Sequence, residues 1–134
     1  MRKRVVRLSS SSVVSAFLSA DSDRPKGKAN SLYDVAYNYI NSHGKDLHGE
    51  PLGKYFIHGL GHYVGLNVHD AGDYDVPLGP GAVFTIEPGI YIPEEKLGVR
   101  IEDILYVDAA GKLVNFSEQL PHTADDVERA MAGK

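Results

Sequence analysis

Residues 58–70 read HGLGHYVGLNVHD and carry three of the six histidines of the chain, His58, His62 and His69. Three glycines are interleaved with them, and each would cost a helix about 1 kcal/mol. We therefore predict an extended segment, in which glycine lets another backbone approach closely. Imidazole is a common metal ligand and a general acid or base near neutral pH. Three histidines in this pattern indicate a functional site.

The composition is that of one modest globular domain. The chain has 134 residues, of which 43% are hydrophobic and 24% charged, and its net charge is −4. This balance argues against nucleic acid as a partner, and no apolar run has the length of a membrane span. The absence of cysteine excludes disulfides and Cys-ligated metals. Any metal must be held by His, Asp and Glu.

Two helices are predicted from their caps and apolar spacing. The first spans residues 31–43, where Ser31 and Asp34 form a capping box and Gly44 suits a left-handed C-cap. The second begins after Thr123, and its spacing turns three side chains inward, namely Ala124, Val127 and Met131.

Four strands are predicted between the helices, at residues 55–57, 82–86, 98–107 and 112–116. The last two form a hairpin turned at residues 108–111. Residues 70–81 are predicted to be a loop, because they are rich in Gly, Pro and Asp. Asp73 and Asp75 in this loop lack the spacing of a calcium site, so we interpret them as solvated acids.

The local backbone is expected to set the direction of two carboxylate side chains, those of Glu87 and Glu102. Glu87 ends the strand at 82–86 directly before Pro88, which forces the preceding residue into an extended conformation. Glu102 follows Arg100 by two residues, so both would share one strand face with Ile104 and Tyr106. For the pair alone, a same-face salt bridge is the plain interpretation.

The N-terminal segment differs from the rest. Residues 1–27 are basic and rich in serine, and the first acid is Asp21. This start weakly resembles a targeting peptide, and an unstructured tail is the alternative. We predict a divergent segment with a linker over residues 1–27, a folded domain over residues 28–134, and a cytoplasmic location.

Three blocks in a fixed order resemble the pita-bread metallopeptidases of family M24. They are HGLGHYVGLNVHD, TIEPGIYIPEE and GVRIEDI. Within the family they are most similar to the Xaa-Pro aminopeptidases, also called aminopeptidase P, with the prolidases next. The resemblance covers about residues 28–132. It implies an α+β fold, namely the C-terminal half of a pita-bread domain, with a curved antiparallel sheet and flanking helices.

The resemblance also implies a metal site. The family binds two divalent ions through two Asp, one His and two Glu; manganese is the first expectation, with cobalt or zinc as alternatives. By this resemblance the metal ligands here are His62, Glu87 and the bridging Glu102. A structure should therefore bring these three side chains together.

Catalytic roles are implied in the same way. His58 and His69 resemble the histidines that contact the substrate and the developing tetrahedral intermediate. Glu87 would also take a proton from the attacking water, and Arg100 would orient the carboxylates of the site.

One departure from the family limits the expected activity. The family's two Asp ligands lie upstream of the helix, and Asp21 and Asp23 do not match their motif. The chain alone is therefore expected to bind at most one ion. The expected partners are a peptide with proline in second position, and either the N-terminal half of the catalytic domain or a second copy. Two alternatives remain: a prolidase-type dipeptidase, and a non-catalytic remnant that binds peptides or partners.

Overall fold

The computed structural model describes residues 32–133. The predictions for residues 1–27, with Asp21 and Asp23, and for the Ser31 cap lie outside the described residues. The elements in chain order are helix α1 (Leu32–His43), a 3-10 helix (Leu52–Tyr55), strands β1 (Val83–Ile86) and β2 (Gly89–Ile92), a 3-10 helix (Pro93–Glu95), strands β3 (Leu97–Arg100), β4 (Asp103–Val107) and β5 (Leu113–Asn115), and helix α2 (Ala124–Ala132).

The chain divides into two compact units. The first unit contains residues 32–58 and 88–101, and the second contains residues 59–87 and 102–133. Each unit has its own antiparallel sheet, so the α+β class predicted from the sequence is confirmed.

The first unit is built on α1, which was predicted at this place. Ala36 and Ile40 are fully buried on one face of the helix, as their spacing requires. The helix packs on the 3-10 helix that buries Leu52, and β2 packs there as well. Strands β2 and β3 form a hairpin in which Gly89 pairs with Arg100.

Two local predictions in the first unit are wrong. Gly44 does not adopt a left-handed conformation; its amide donates to the Ile40 carbonyl, and a Cβ there would collide with the Leu52 side chain. The glycine therefore provides space. The strand predicted at residues 55–57 does not form: Tyr55 ends the 3-10 helix, where the Phe56 amide donates to the Gly53 carbonyl over 3.0 Å, and residues 56–57 belong to no strand.

The second unit holds a three-stranded sheet in the order β1-β4-β5. Val83 pairs with Tyr106 and Ile86 pairs with Asp103. The predicted turn after β4 is present, since the Asp108 amide donates to the Lys112 carbonyl over 2.9 Å. The inner face buries four apolar side chains of the sheet, namely Phe84, Ile86, Leu105 and Val107.

The strand predicted over residues 98–107 is broken, because β3 pairs with β2 whereas β4 pairs with β1. A change of pairing partner interrupts the pleat, and Ile101 and Glu102 lie in the interruption. The single strand face that was predicted for Arg100, Glu102, Ile104 and Tyr106 therefore does not exist.

Helix α2 begins directly after Thr123, as predicted from the sequence. The Thr123 hydroxyl accepts a hydrogen bond from the Asp126 amide over 3.1 Å. The prediction that one face of this helix points inward is wrong, because none of the residues Ala124–Ala132 is buried and Met131 is 74% exposed. Within residues 32–133, no helix is both long enough and apolar enough to cross a membrane.

Candidate metal centre

The register of β1 and β4 sets two carboxylates opposite each other. Ile86 pairs with Asp103, so the next residue outward on each side is a glutamate, Glu87 or Glu102. Directly opposed residues of an antiparallel pair point to the same face. The sheet therefore aims both carboxylates at one place just beyond its last residue pair.

His62 reaches this place from a segment that runs along β1. The Thr85 amide donates to the His62 carbonyl over 2.9 Å, and the Glu87 amide donates to the Leu60 carbonyl over 2.8 Å. Beside β1 the segment is not helical, as predicted, but the extended course predicted for residues 58–70 is wrong at residues 65–69, where the chain bends back and the Asp70 amide donates to the Tyr63 carbonyl. A Cβ on Gly61 would collide with the carbonyl oxygen of Thr85, so glycine permits the close approach.

Three potential ligand atoms meet here. His62 Nε2 lies 3.4 Å from Glu87 Oε1 and 4.0 Å from Glu102 Oε1. Across residues 32–133, these three side chains are the one group of His, Asp or Glu that brings a ligand atom of each within 4.8 Å of the others. The His62 and Glu87 side chains are 13% and 12% exposed, and that of Glu102 is 37% exposed. The cluster is thus partly shielded and open at Glu102.

The chemistry of this donor set fits a divalent ion. His62 Nδ1 lies 3.0 Å from the Tyr63 carbonyl oxygen, which can only accept, so Nδ1 carries a proton. In the neutral ring, Nε2 then presents its lone pair to the two carboxylates. Histidines that ligate a metal through one ring nitrogen characteristically donate a hydrogen bond from the N–H of the other to a carbonyl or carboxylate. One imidazole and two carboxylates suit zinc, manganese or cobalt.

His69 lies beside the cluster. Its ring centroid is 4.2 Å from that of His62. The turn that carries His69 is closed by Asp70, whose carboxylate accepts from the Ala71 and Asn67 amides. Hydrogen bonds from the Ala71 amide, and then from Asn67, lower the pKa of Asp70, so the carboxylate that holds this turn stays ionised.

The first unit contains the other two predicted catalytic residues. His58 Nε2 lies 3.1 Å from the Tyr91 hydroxyl, and the His58 and Phe56 rings form a T-shaped contact with a centroid distance of 5.4 Å. Arg100 is exposed at the end of β3.

Two buried polar residues of the β1–β4 pair were missed by the sequence interpretation. Thr85 is 2% exposed, and its hydroxyl contacts both His62 and Glu87. Asp103, also 2% exposed, accepts from the Ser117 hydroxyl over 2.5 Å. Strand alternation carried a signal for both, because Thr85 is two residues from Glu87 and Asp103 alternates with the buried Leu105.

An antiparallel sheet with a histidine and two glutamates at its end offers the ligand types of a divalent-metal site. The chain belongs to metallopeptidase family M24, because the sequence model of that family matches residues 18–109. The fold is accordingly the pita-bread fold, and the resemblance stated from the sequence is confirmed.

Relatives with assigned activities and a solved structure agree with this membership. The chain is 45% identical over 87 residues to Xaa-Pro aminopeptidase 3 of Homo sapiens, covering 57% of this chain and 17% of that protein. It is 43% identical over 95 residues to the Xaa-Pro dipeptidase of Pyrococcus horikoshii, covering 68% of this chain and 25% of that one. A protein assigned as an aminopeptidase P from Bacillus anthracis matches the fold with a TM-score of 0.63 and 33% identity, over 81% of this chain and 27% of the other. The chain therefore spans about a quarter or less of these relatives.

Proposed function

We propose that this chain supplies metal ligands and substrate-contacting residues to a metal-dependent aminopeptidase that hydrolyses the N-terminal Xaa-Pro bond of peptides. The observation that supports this most is the convergence of His62, Glu87 and Glu102 at the end of the β1–β4 pair. The names of the relatives support the substrate class, since they include a human Xaa-Pro aminopeptidase.

In this proposal His62, Glu87 and Glu102 hold a divalent ion, and the oxygen-rich set favours manganese. When bound in such a site, a divalent ion polarises the scissile carbonyl and lowers the pKa of a ligated water. The chain contributes the orientation: the Tyr63 carbonyl fixes the His62 ring, and the sheet register fixes both glutamates.

The remaining residues act on protons and on the substrate. Glu87 accepts the proton of the attacking water, which suits a carboxylate that is only 12% exposed. His69, whose ring lies beside that of His62, donates a hydrogen bond to the oxyanion. By resemblance, His58 contacts the substrate and Arg100 orients the carboxylates.

One ion is the number that the described ligands support. Residues 32–133 offer a single group of three donors, whereas the family holds two ions with two further aspartates. We propose that the 134-residue chain alone binds one ion and turns over Xaa-Pro peptides very slowly or not at all. Full activity would need those aspartates from a complementary segment.

A prolidase-type dipeptidase is the second candidate, and the Pyrococcus horikoshii relative favours it. The two candidates differ in substrate length only. With the complementary segment supplied, an aminopeptidase cleaves a tripeptide with proline in second position, whereas a prolidase cleaves only the dipeptide that ends in proline. Comparing kcat/KM for Ala-Pro-Ala and Ala-Pro decides between them.

The test of the metal site is a calorimetric titration of the full chain with Mn²⁺. We expect one bound ion in the wild type and loss of binding in Glu102→Ala. Glu118→Ala is the matched control, because Glu118 is an exposed glutamate outside the cluster. Equal Mn²⁺ binding by both variants would overturn the site. A chain that binds Xaa-Pro peptides but no ion would instead support the non-catalytic remnant.

A further inference from the structure

Thr85 lies between two of the proposed metal ligands. It is in the middle of β1 and only 2% exposed. Its hydroxyl oxygen is 3.0 Å from the His62 backbone nitrogen and 3.2 Å from Glu87 Oε1. One buried hydroxyl thus connects the His62 backbone to the Glu87 carboxylate, although the two residues are far apart in the sequence.

The direction of each hydrogen bond follows from the donors available. The His62 amide can only donate, so the Thr85 hydroxyl accepts from it. The single hydroxyl proton is then directed at the Glu87 carboxylate. The oxygen that receives it, Oε1, is the same atom that lies 3.4 Å from His62 Nε2. Thr85 therefore holds the carboxylate oxygen that faces the imidazole.

The backbone of Thr85 adds to this constraint. Its amide donates to the His62 carbonyl over 2.9 Å, and its carbonyl oxygen occupies the space that a side chain at Gly61 would need. Thr85 thus binds both the backbone amide and the backbone carbonyl of His62. A valine in place of Thr85 would keep the shape and the backbone contacts, and would remove the hydroxyl alone.

We propose that Thr85 is a positioning residue of the metal centre, whose hydroxyl couples the placement of His62 to the orientation of the Glu87 carboxylate. This inference rests on the proposed metal site. The hydroxyl does not contact the ion or the substrate; it acts through the two ligands. Hydrogen bonds to ligating carboxylates of this kind typically contribute 10-fold to 100-fold to metal affinity.

The test compares two pairs of proteins, all made as the full chain, and the two members of each pair differ by one hydroxyl at position 85. The first pair is the wild type and Thr85→Val, whose side chains have nearly the same volume. The second pair is Thr85→Ser and Thr85→Ala, whose side chains are both smaller than threonine. Mn²⁺ affinity is measured by calorimetry, and the site geometry is followed by the visible absorption of bound Co²⁺. We expect the member without the hydroxyl to bind Mn²⁺ about 10-fold or more weakly in each pair, with a changed Co²⁺ spectrum.

Two controls separate a positioning role from a structural one. Thr123→Val removes another bonded threonine hydroxyl, the cap of α2, and should leave Mn²⁺ affinity unchanged. Thr85→Ser should lose stability through its missing methyl group and keep affinity within about 3-fold, well short of the loss expected for a removed carboxylate partner.

The outcomes are distinguishable from failure of the metal site itself. If the wild type binds no ion, the proposed function is wrong. If the wild type binds but either hydroxyl-free variant binds as tightly as its partner, the role of Thr85 is wrong. Should Thr85→Val not fold, as judged by circular dichroism, the Ser and Ala pair decides by the same criterion.

Discussion

At Gly61 the histidine segment comes so close to β1 that a side chain does not fit. The obstacle is the backbone carbonyl of Thr85, which cannot rotate away as a flexible side chain would. The hydrogen bonds on either side, from the Thr85 and Glu87 amides, depend on this approach. The position of His62 therefore depends on the absence of one methyl group.

We predict that Gly61→Ala destabilises the chain by about 1–3 kcal/mol, the usual cost of overpacking, and weakens Mn²⁺ binding. Gly59→Ala is the matched control, because a Cβ at Gly59 meets no atom within 4 Å. Urea unfolding and Mn²⁺ calorimetry of both variants measure the two effects. Equal stability of the two variants would contradict the prediction.

Some residues of the site could be predicted from the sequence, and others could not. His62, Glu87 and Glu102 belong to motifs, and their convergence was expected from the resemblance. The pairing of Ile86 with Asp103 gives the geometric reason, and register is a long-range property that no single motif contains. Thr85 was missed because a threonine in an apolar strand is ordinary, and its role depends on which segment lies beside the strand.

At the scale of elements, local signals predicted what local interactions determine. The spacing of Ala36 and Ile40 predicted α1, and the Thr123 cap predicted the start of α2. The break between β3 and β4 was not predictable in this way, because each half is extended and only the choice of partner separates them. The apolar spacing of α2 showed which face could be buried, but burial needs a neighbouring element.

The loop after α1 is fixed by one buried carboxylate. Asp46 accepts from the His48 and Glu50 amides, each over 2.9 Å, and contacts Tyr55 and Lys54 at 3.1 and 3.2 Å. Burial by itself would raise the pKa of Asp46. The hydrogen bonds from Glu50, Lys54, His48 and Tyr55 together outweigh burial and lower it from 3.8 to about 2.

A depressed pKa means that the ionised carboxylate stabilises the folded state. This contribution is complete above the unfolded value of 3.8 and is lost as the pH falls through about 2. We predict that Asp46→Asn is less stable than the wild type at neutral pH, and that the difference narrows on acidification through this range. The midpoints of urea unfolding of both proteins, determined at a series of pH values, measure this difference in stability. A difference that stays constant from neutral pH to about pH 2 would contradict the prediction.

At the scale of the whole molecule, much apolar surface is left uncovered. Large side chains exposed by more than 60% include Leu66, Val68, Tyr74, Phe116, Leu120 and Met131. Among the strands within residues 32–133, none pairs with the outer edge of β5. Exposed apolar groups and open strand edges favour association.

We predict that the chain self-associates in a concentration-dependent way and unfolds at a low temperature for its length. Sedimentation velocity over a range of concentrations measures the first property. Leu66→Ser with Leu120→Ser should shift the distribution toward the monomer, because these side chains are 102% and 63% exposed. A wild type that stays monomeric and unfolds cooperatively at high temperature would refute this expectation.

The ion should couple the site to the stability of the entire chain. His62, Glu87 and Glu102 are far apart in sequence, and only the folded sheet brings their ligand atoms within 4.8 Å. An ion that binds the folded state alone stabilises it by about 2.7 kcal/mol when its concentration is 100 times Kd. We predict a stabilisation of this size with Mn²⁺, reversed by a chelator, and measured as a shift in the urea midpoint. Glu118→Ala should keep the shift and Glu102→Ala should lose it, because only Glu102 belongs to the cluster. An equal shift in both variants would mean that Mn²⁺ acts elsewhere on the protein.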